Sequence, residues 1–569
     1  MRDHANVTAR PTDWRSIDWG KANRTVESLR RRIFRATREG DLKKVRSLQK
    51  LMLRSHSNRL VSVRRVTQIN QGKNTPGVDK VVVKTPAARG KLVDKLADYT
   101  PWKPKPARRV YIPKASNPAR LRGLGIPVIF DRALQNVAKN ALEPFWEAKF
   151  EGTSYGFRPG RGCHDAIEKI FLNISKGRKQ WILDADLKGA FDAISHKHLL
   201  DSIGNFPARE LIKQWLKAGY MEEREFHATE SGTPQGGVVS PVLLNVALHG
   251  MEEALTDRRY STKFRRMVAG PAGRAFIRYA DDFVVLCESK EDAEKCRDIL
   301  TTWLAPRGLQ LSEEKTKIVH ATQGFDFLGF NVRRYRTPKS TRSGFKTIIK
   351  PSKASVIKLR RRLKADWRST RGASTAGAIA KLNPVIRGWA NYFRPSCAKE
   401  TFKKIDDWMF THQKRWVHWR HPQKPWKWTR PRYWGKYNKK RDDRWVFGDK
   451  KTGAYLLRFA WFPIERHIMV KGNSSPDDPN LKDYWTTRRR REMKNLKPID
   501  RRLALHQEGL CPQCGNSLFN GEEVHTHHRV PRRDGGTDSS SNLLLLHLYC
   551  HQNIHAPKKG QREKADWIG

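Results

Sequence analysis

The spacing of apolar residues changes character several times along the chain. Near the start, Val26, Leu29 and Ile33, and then Val45, Leu48 and Leu51, recur at three- and four-residue intervals. Arg and Lys fill the gaps, which predicts amphipathic helices with basic outer faces. From about residue 105 to 335 the pattern is mixed. Arg109-Val110-Tyr111-Ile112 and Trp181-Ile182-Leu183 read as strands, and Asp131–Leu142 reads as helix. Phe276-Ile277-Arg278 and Phe283-Val284-Val285-Leu286 flank Tyr279-Ala280-Asp281-Asp282 and predict a hairpin with that tetrad at its bend. From Ser352 the helical period returns, with Val356, Leu359, Leu363 and Trp367 on one face and Arg360-Arg361-Arg362 off it. Beyond residue 420, Trp426, Trp428, Trp434 and Trp445 interleave with Lys, Arg and Pro, and a Gly/Ser/Pro/Asp loop follows from Lys471 to Asn480. The C-terminal stretch is a Cys/His-rich module.

At 569 residues the chain exceeds a single core and implies several domains. Lys and Arg number 113 against 57 Asp and Glu, a formal net charge of +56. That excess calls for a polyanionic partner. A membrane is disfavoured, because the apolar run around Leu543–Leu546 is far short of a span. Met1–Arg31 is polar and basic, with no secretory h-region. Cys163, Cys287, Cys296 and Cys397 are scattered and read as reduced thiols. Cys511, Cys514 and Cys550 cluster and read as metal ligands rather than a disulfide framework. Together these features predict an intracellular nucleic-acid protein.

Candidate chemistry then falls into place. Asp281 and Asp282 at a hairpin bend can face divalent ions if a neighbouring strand supplies a third carboxylate. Asp184 and Asp186 both qualify, since residues two apart share a strand face. Such carboxylate sets hold the metal pair of phosphoryl-transfer enzymes. The basic residues of Arg109–Lys114 and Arg122–Pro127 can hold a triphosphate through charge-assisted hydrogen bonds. In Gly156–Arg161, Arg158 and Arg161 are candidates for template contact, with a plain solvated basic turn as the rival reading. The glycines of Gly232–Pro241 allow close backbone approach to nucleic acid. Lys315 is as readily structural as functional. Cys511-x-x-Cys514 opposite His547-x-x-Cys550 suffices for a closed tetrahedral structural Zn2+. His551 and His555 lie one helical turn apart and can share a face.

In order and wording these motifs resemble a reverse transcriptase of the group II intron-encoded kind. The resemblance implies that Lys114 and Arg122 bind the triphosphate. It implies Asp186, Asp281 and Asp282 as the catalytic aspartates holding Mg2+, with Phe191 as the gate against a 2′-hydroxyl and Gln235 lining the nucleotide pocket. Phe191 stands five residues past Asp186 and so favours it over Asp184, while Asp192 reads as a structural cap. Phe325–Phe330 is similar to the primer-grip strand. Gly123 departs from the proline usual in the family, with no expected loss of chemistry. Leu382–Phe393 is similar to the maturase thumb and makes Arg387, Trp389 and Tyr392 RNA-binding candidates, against the rival of ordinary core packing. The Trp/Lys/Arg stretch resembles a DNA-binding segment, with a basic linker as the rival. The C-terminal module resembles an HNH endonuclease. There His528 is implied as general base, Asn542 as the holder of backbone geometry, and His527, His551 and His555 as ligands of a divalent metal, expected to be Mg2+. His525 only flanks that set, and a non-cutting zinc ribbon is the rival.

The implied fold is a multidomain α+β protein. It has right-hand polymerase fingers and palm, a helical thumb, a basic DNA-binding segment and a small zinc-containing ββα HNH domain. The expected boundaries are 1–100 for a basic helical extension and the start of the fingers, 101–340 for fingers and palm, 341–422 for the thumb, 423–500 for the DNA-binding segment and 501–569 for the endonuclease. The implied function is splicing assistance, DNA nicking and target-primed reverse transcription of the intron. The implied partners are lariat intron RNA, target DNA and dNTPs, with no membrane, inside a prokaryotic cell as a ribonucleoprotein. A splicing factor with unused catalytic centres is the competing class, disfavoured by the intact Asp281-Asp282 and Cys/His sets. So is a free-standing reverse transcriptase, which does not need both the thumb and the C-terminal module.

Overall fold

The computed structural model describes residues 11–97, 103–113, 120–256, 259–261, 266–268, 273–338, 344–438, 440–493 and 496–555. Lys114, expected at the triphosphate, lies outside the described residues.

Three helices open the chain: Trp19–Arg38, Leu42–Arg54 and His56–Arg64. Each starts where a polar side chain accepts a hydrogen bond from an otherwise unpaired backbone N–H: Asp18 from Lys21, Asp41 from Lys44 and Ser55 from Asn58. Val26, Leu29 and Ile33 are buried against the Ile129–Glu147 helix. Leu51 departs from the expected stripe and is 49 % exposed. The buried face of its helix runs through Val45, Leu48 and Met52. Residues three and seven past Val45 return to the same side, whereas one six past it points away.

The centre of the molecule is an antiparallel sheet in the order Lys317–His320, Trp181–Asp186, Asp282–Cys287, Ala275–Tyr279. Ile182, Leu183, Phe283, Val284, Val285 and Leu286 are fully buried in it, with helices such as Cys163–Ile174 and Lys290–Leu304 packed against it. This explains why the runs are continuously apolar: both faces are covered. A second sheet joins Leu121–Ile126, Ala107–Pro113, Tyr220–Glu222 and Glu225–His227. A third joins Phe325–Phe327, Phe330–Arg336 and Phe345–Pro351, so strand pairing continues past residue 340.

Helices Lys353–Ser369, Thr375–Phe393 and Lys399–Arg420 follow and share an aromatic core with the short ladder Trp434–Gly435/Val446–Phe447. The last described segment is a hairpin, Val524–His528 against Leu543–His547, followed by the Leu548–His555 helix. This module rests on the N-terminal helices, within one apolar cluster that also holds Trp19 and Val63. The architecture is mixed α and β, and no helix among the described residues is long and apolar enough to cross a membrane.

Candidate catalytic centres

Pairing register brings the first centre together. Asp186 closes one central strand and Asp282 opens the next, as direct partners across the ladder. Asp281 precedes Asp282 at the bend, where Ala280 takes a positive φ of 60°. That is an uncommon conformation for a residue with a Cβ, and it turns the tetrad sharply enough to present two successive acids.

Gly156 explains one glycine of the Gly-Phe-Arg motif. A Cβ there would collide with the backbone nitrogen of Ala280, so only glycine lets this loop support the bend from behind. Arg278, fully buried beneath it, donates through Nη1 to Asn245 Oδ1 at 2.9 Å and to Ala280 O at 3.2 Å. Burial lowers its guanidinium to about 10. The role of Arg278 was missed in the sequence, where the one available signal is a cation inside an apolar strand run.

The three carboxylates crowd each other. Partial desolvation, reinforced by Asp186 and Asp281, pushes Asp282 up to about 8, although one side of it reaches solvent. Burial likewise raises Asp281, with Asp186 adding to the push and Arg122 opposing it. A set of acids that cannot all ionise alone is one that a divalent cation would relieve. Lys315 already bonds Asp186 Oδ2 with its ammonium and is a cationic member of the centre. Asp184 stands opposite Lys317 and Val284, two pairs along the ladder from Asp186–Asp282, and burial pushes it up to about 7.

Around the acids, Phe191 is buried with Phe157 edge-on at 6.3 Å. Arg122 is exposed on its strand opposite Ile112. Gln235 is half-buried, and its carbonyl accepts from Gly125 N at 2.9 Å. Gly236, with φ 133°, packs against the Gly125 carbonyl, so the Gly232–Pro241 loop and the Leu121–Ile126 strand form one wall. Gly123 has its own reason. The Arg109 guanidinium fills the space a side chain at 123 would take, and it lies 4.9 Å from the Tyr220 ring and 3.6 Å from Asp192 Oδ1.

Two expected template contacts are corrected. The Arg158 side chain is 1 % exposed and paired with Glu147 at 2.9 Å and 3.0 Å, so its charge is spent inside the protein. Arg161 is turned to the carbonyls of Gly152, Gly472 and Ser474 and fastens the Lys471–Asn480 loop. In the Thr375–Phe393 helix, Arg387 is exposed. Trp389 packs on Phe393, Phe402 and Phe459, and Tyr392 stacks on Phe330 while donating to Leu328 O at 3.0 Å. These two aromatics serve the core.

The second centre is in the C-terminal module. Cys511, Cys514, His547 and Cys550 are buried, with ligand atoms all within 4.8 Å of one another. The His547 Nε2 lies 3.1 Å from the Ser517 carbonyl, which leaves Nδ1 facing the sulfurs, 3.4 Å from Cys514. That is the arrangement of a ligating imidazole, and the donor set suits Zn2+. His527, His551 and His555 form a separate group within the same 4.8 Å limit. Burial lowers His527 and His551, helped by neighbouring imidazoles, and so favours their neutral, ligating form. The buried His527 Nδ1 has no hydrogen-bond partner among the described residues, as a waiting ligand would. His528 lies 2.7 Å from Asp538 Oδ1 through Nε2. Asn542 bonds Val530 N, Val530 O and Thr537 O and so clamps the loop between the two strands. His525 meets Glu523 at 3.0 Å and stays outside the triad.

Comparison with known proteins agrees with this layout. Residues 14–96 match the model of the N-terminal domain of reverse transcriptase, and residues 112–332 match reverse transcriptase (RNA-dependent DNA polymerase). Residues 356–434 match the group II intron maturase-specific domain, and residues 511–556 match HNH endonuclease. Protein YkfC of Escherichia coli (strain K12) is 36 % identical over 314 residues, 49 % of this chain and 81 % of that protein. The chain belongs to the group II intron-encoded protein family. Among its relatives, group II intron-encoded protein LtrA of Lactococcus lactis subsp. cremoris is 33 % identical over 309 residues, 45 % of this chain and 51 % of LtrA. Maturase-like protein 1 of Euglena gracilis is 28 % identical over 385 residues, 66 % of this chain and 77 % of the relative. The match thus spans about half the length of LtrA. As a group II intron-encoded protein, the chain unites RNA-directed DNA polymerase, maturase and HNH endonuclease domains, the set of a multifunctional protein of intron splicing and mobility.

Proposed function

We propose that the protein binds the lariat of its own intron RNA, assists its splicing, and copies the intron into DNA at a site it has nicked. The facing pair Asp186–Asp282 beside Asp281 carries the polymerase reading. These three would hold Mg2+, which when bound stabilises charge on the attacking and leaving oxygens of nucleotidyl transfer. Arg122, with Lys114, grips the incoming triphosphate. Phe191 forms the floor that refuses a 2′-hydroxyl, and the Gln235 loop closes the pocket wall. Lys315, bonded to Asp186, offsets part of the acids' mutual repulsion in the interval between substrates.

In this reading the two large sheets are the fingers and palm, the three helices after Ser352 are the thumb, and the Trp-rich segment touches target DNA. Arg387 is the member of its helix left free to meet RNA. In the C-terminal module Cys511, Cys514, His547 and Cys550 would hold structural Zn2+, and His527, His551 and His555 a catalytic divalent ion. His528, oriented by Asp538, takes the proton from the attacking water, and Asn542 keeps the loop in register. Reverse splicing supplies one strand break through the RNA, the module nicks the other strand, and the freed 3′-hydroxyl primes copying. The ribonucleoprotein works inside a prokaryotic cell.

Purifying the protein from its host and sequencing the bound RNA tests the reading. One dominant lariat intron is the expected outcome. A broad mixture of cellular RNA with no intron enriched would refute it.

A further inference from the structure

The C-terminal module is held to the rest of the molecule by more than its linker. Its sulfur cluster faces the N-terminal helices. Arg64, the last residue of the His56–Arg64 helix, donates from Nη2 to Cys550 Sγ at 3.0 Å. Asn23, in the Trp19–Arg38 helix, donates from Nδ2 to Cys514 O at 2.8 Å. Arg64 is 4 % exposed, with its guanidinium carbon 4.6 Å from the Trp19 ring centroid and Nη2 3.8 Å from Glu522. Beside it the Lys73 ammonium bonds the Tyr549 hydroxyl. None of these contacts involves the Asp186/Asp281/Asp282 set or the His527/His551/His555 set.

A guanidinium keeps its charge in a protein interior, and a buried charge needs an opposite one close by. Cysteines hold a divalent cation as thiolates. Three thiolates and a neutral imidazole around a doubly charged ion leave one net negative charge, and Cys550 carries part of it directly against Arg64. We propose that Arg64 is the charge partner of the Cys511/Cys514/His547/Cys550 centre and, through it, the residue that positions the C-terminal module on the N-terminal helices. Arg64 is a positioning residue for metal retention and docking, and it touches no reacting atom. The inference rests on the reading of these four residues as a metal-holding site.

The test uses the full chain purified with zinc, its content measured by elemental analysis, and compares Arg64→Met with Arg64→Lys. Zinc release to a chromogenic chelator and hydrogen exchange across residues 19–38, 56–64 and 524–555 are followed. Arg64→Met should release zinc on the order of 10- to 100-fold more readily, the usual effect of removing an outer-shell partner, with faster exchange on both sides of the interface. Arg64→Lys, which keeps the charge, should recover part of both. Because Arg64→Met removes a buried side chain and can fail to fold, Cys550→His provides a second route. It keeps four ligands and leaves Arg64 intact but removes the thiolate that faces it, and should hold zinc while exchange rises in the two N-terminal helices. Wild-type zinc retention and exchange in Arg64→Met, or unchanged helix exchange in zinc-loaded Cys550→His, would overturn the proposal. Wild-type protein that carries no zinc would overturn the metal reading and this inference together.

Discussion

Asp186 and Asp282 come from distant parts of the chain and meet across one pair of strands, whereas His527, His551 and His555 come from one hairpin and the helix after it. The chemistry differs as much as the assembly. The aspartates crowd until Asp282 is pushed up to about 8, and Lys315 is drawn onto Asp186. His527 and His551 are driven the other way, toward their neutral form. A carboxylate cluster therefore depends on imported positive charge and a rigid sheet to hold acids together. An imidazole cluster depends only on lone pairs brought into range by local spacing. One centre is a property of the whole core, and the other of a small unit docked onto it.

The comparison can be broken by attacking each centre alone. Asp281→Ala combined with Asp282→Ala should cut cDNA synthesis on a primed template by on the order of 10³-fold or more, the loss of the metal-held part of the barrier reduction. Splicing assistance by the folded double mutant should persist, because RNA binding uses other surfaces. Loss of both activities would show that the centres and the RNA surface are not separable.

Next in size, His528→Ala should lower strand nicking by on the order of 10²- to 10⁴-fold, the usual contribution of a general base, with polymerisation unchanged in the same preparation. Nicking at the wild-type rate would remove His528 from the mechanism.

Gly156→Ala sharpens the contrast, because it changes no ligand. The added methyl displaces the Ala280 bend, and a shift of this kind should cost about 10²-fold in polymerisation while sparing nicking.

The smallest effect separates Asp184 from Asp186. Asp184 is pushed up to about 7 by burial, while an unfolded aspartate loses its proton near pH 4. Between those values the unfolded chain binds fewer protons, so stability falls as pH rises through that window and stays low above it. Asp184→Asn should then leave cDNA synthesis intact and raise stability at pH 8 by about 1 kcal/mol, after allowance for partial exposure. Thermal melts at pH 5 and pH 8 measure the difference, which should shrink at the lower pH.

Much of the frame was legible in residue order alone. Strand-like runs on both sides of Tyr279–Asp282 are the two strands observed, and Val26, Leu29 and Ile33 are the buried stripe of their helix. The spacing of Cys511, Cys514, His547 and Cys550 announced one compact group. Leu51 was misplaced because a count of apolar residues by threes runs off the helix face. Arg158 and Arg161 were misread, and for Trp389 and Tyr392 the packing anticipated as the rival reading is what the fold shows, for a shared reason. Basic and aromatic side chains look alike in sequence whether they face nucleic acid or a partner such as Glu147, the Gly472 carbonyl or Phe330.

The order of amino acids by itself determined the element types, the identity of the potential ligands and the charge that demands a polyanion. These rest on periodicity, short spacings and composition, which are local or additive. Only the tertiary structure decided that Asp186 pairs with Asp282, that Lys315 joins the acids, that Arg278 supports the bend and that Arg64 meets Cys550. Each of those depends on which buried charge finds an opposite partner across the folded chain, and burial and partner are set by packing between segments far apart in sequence.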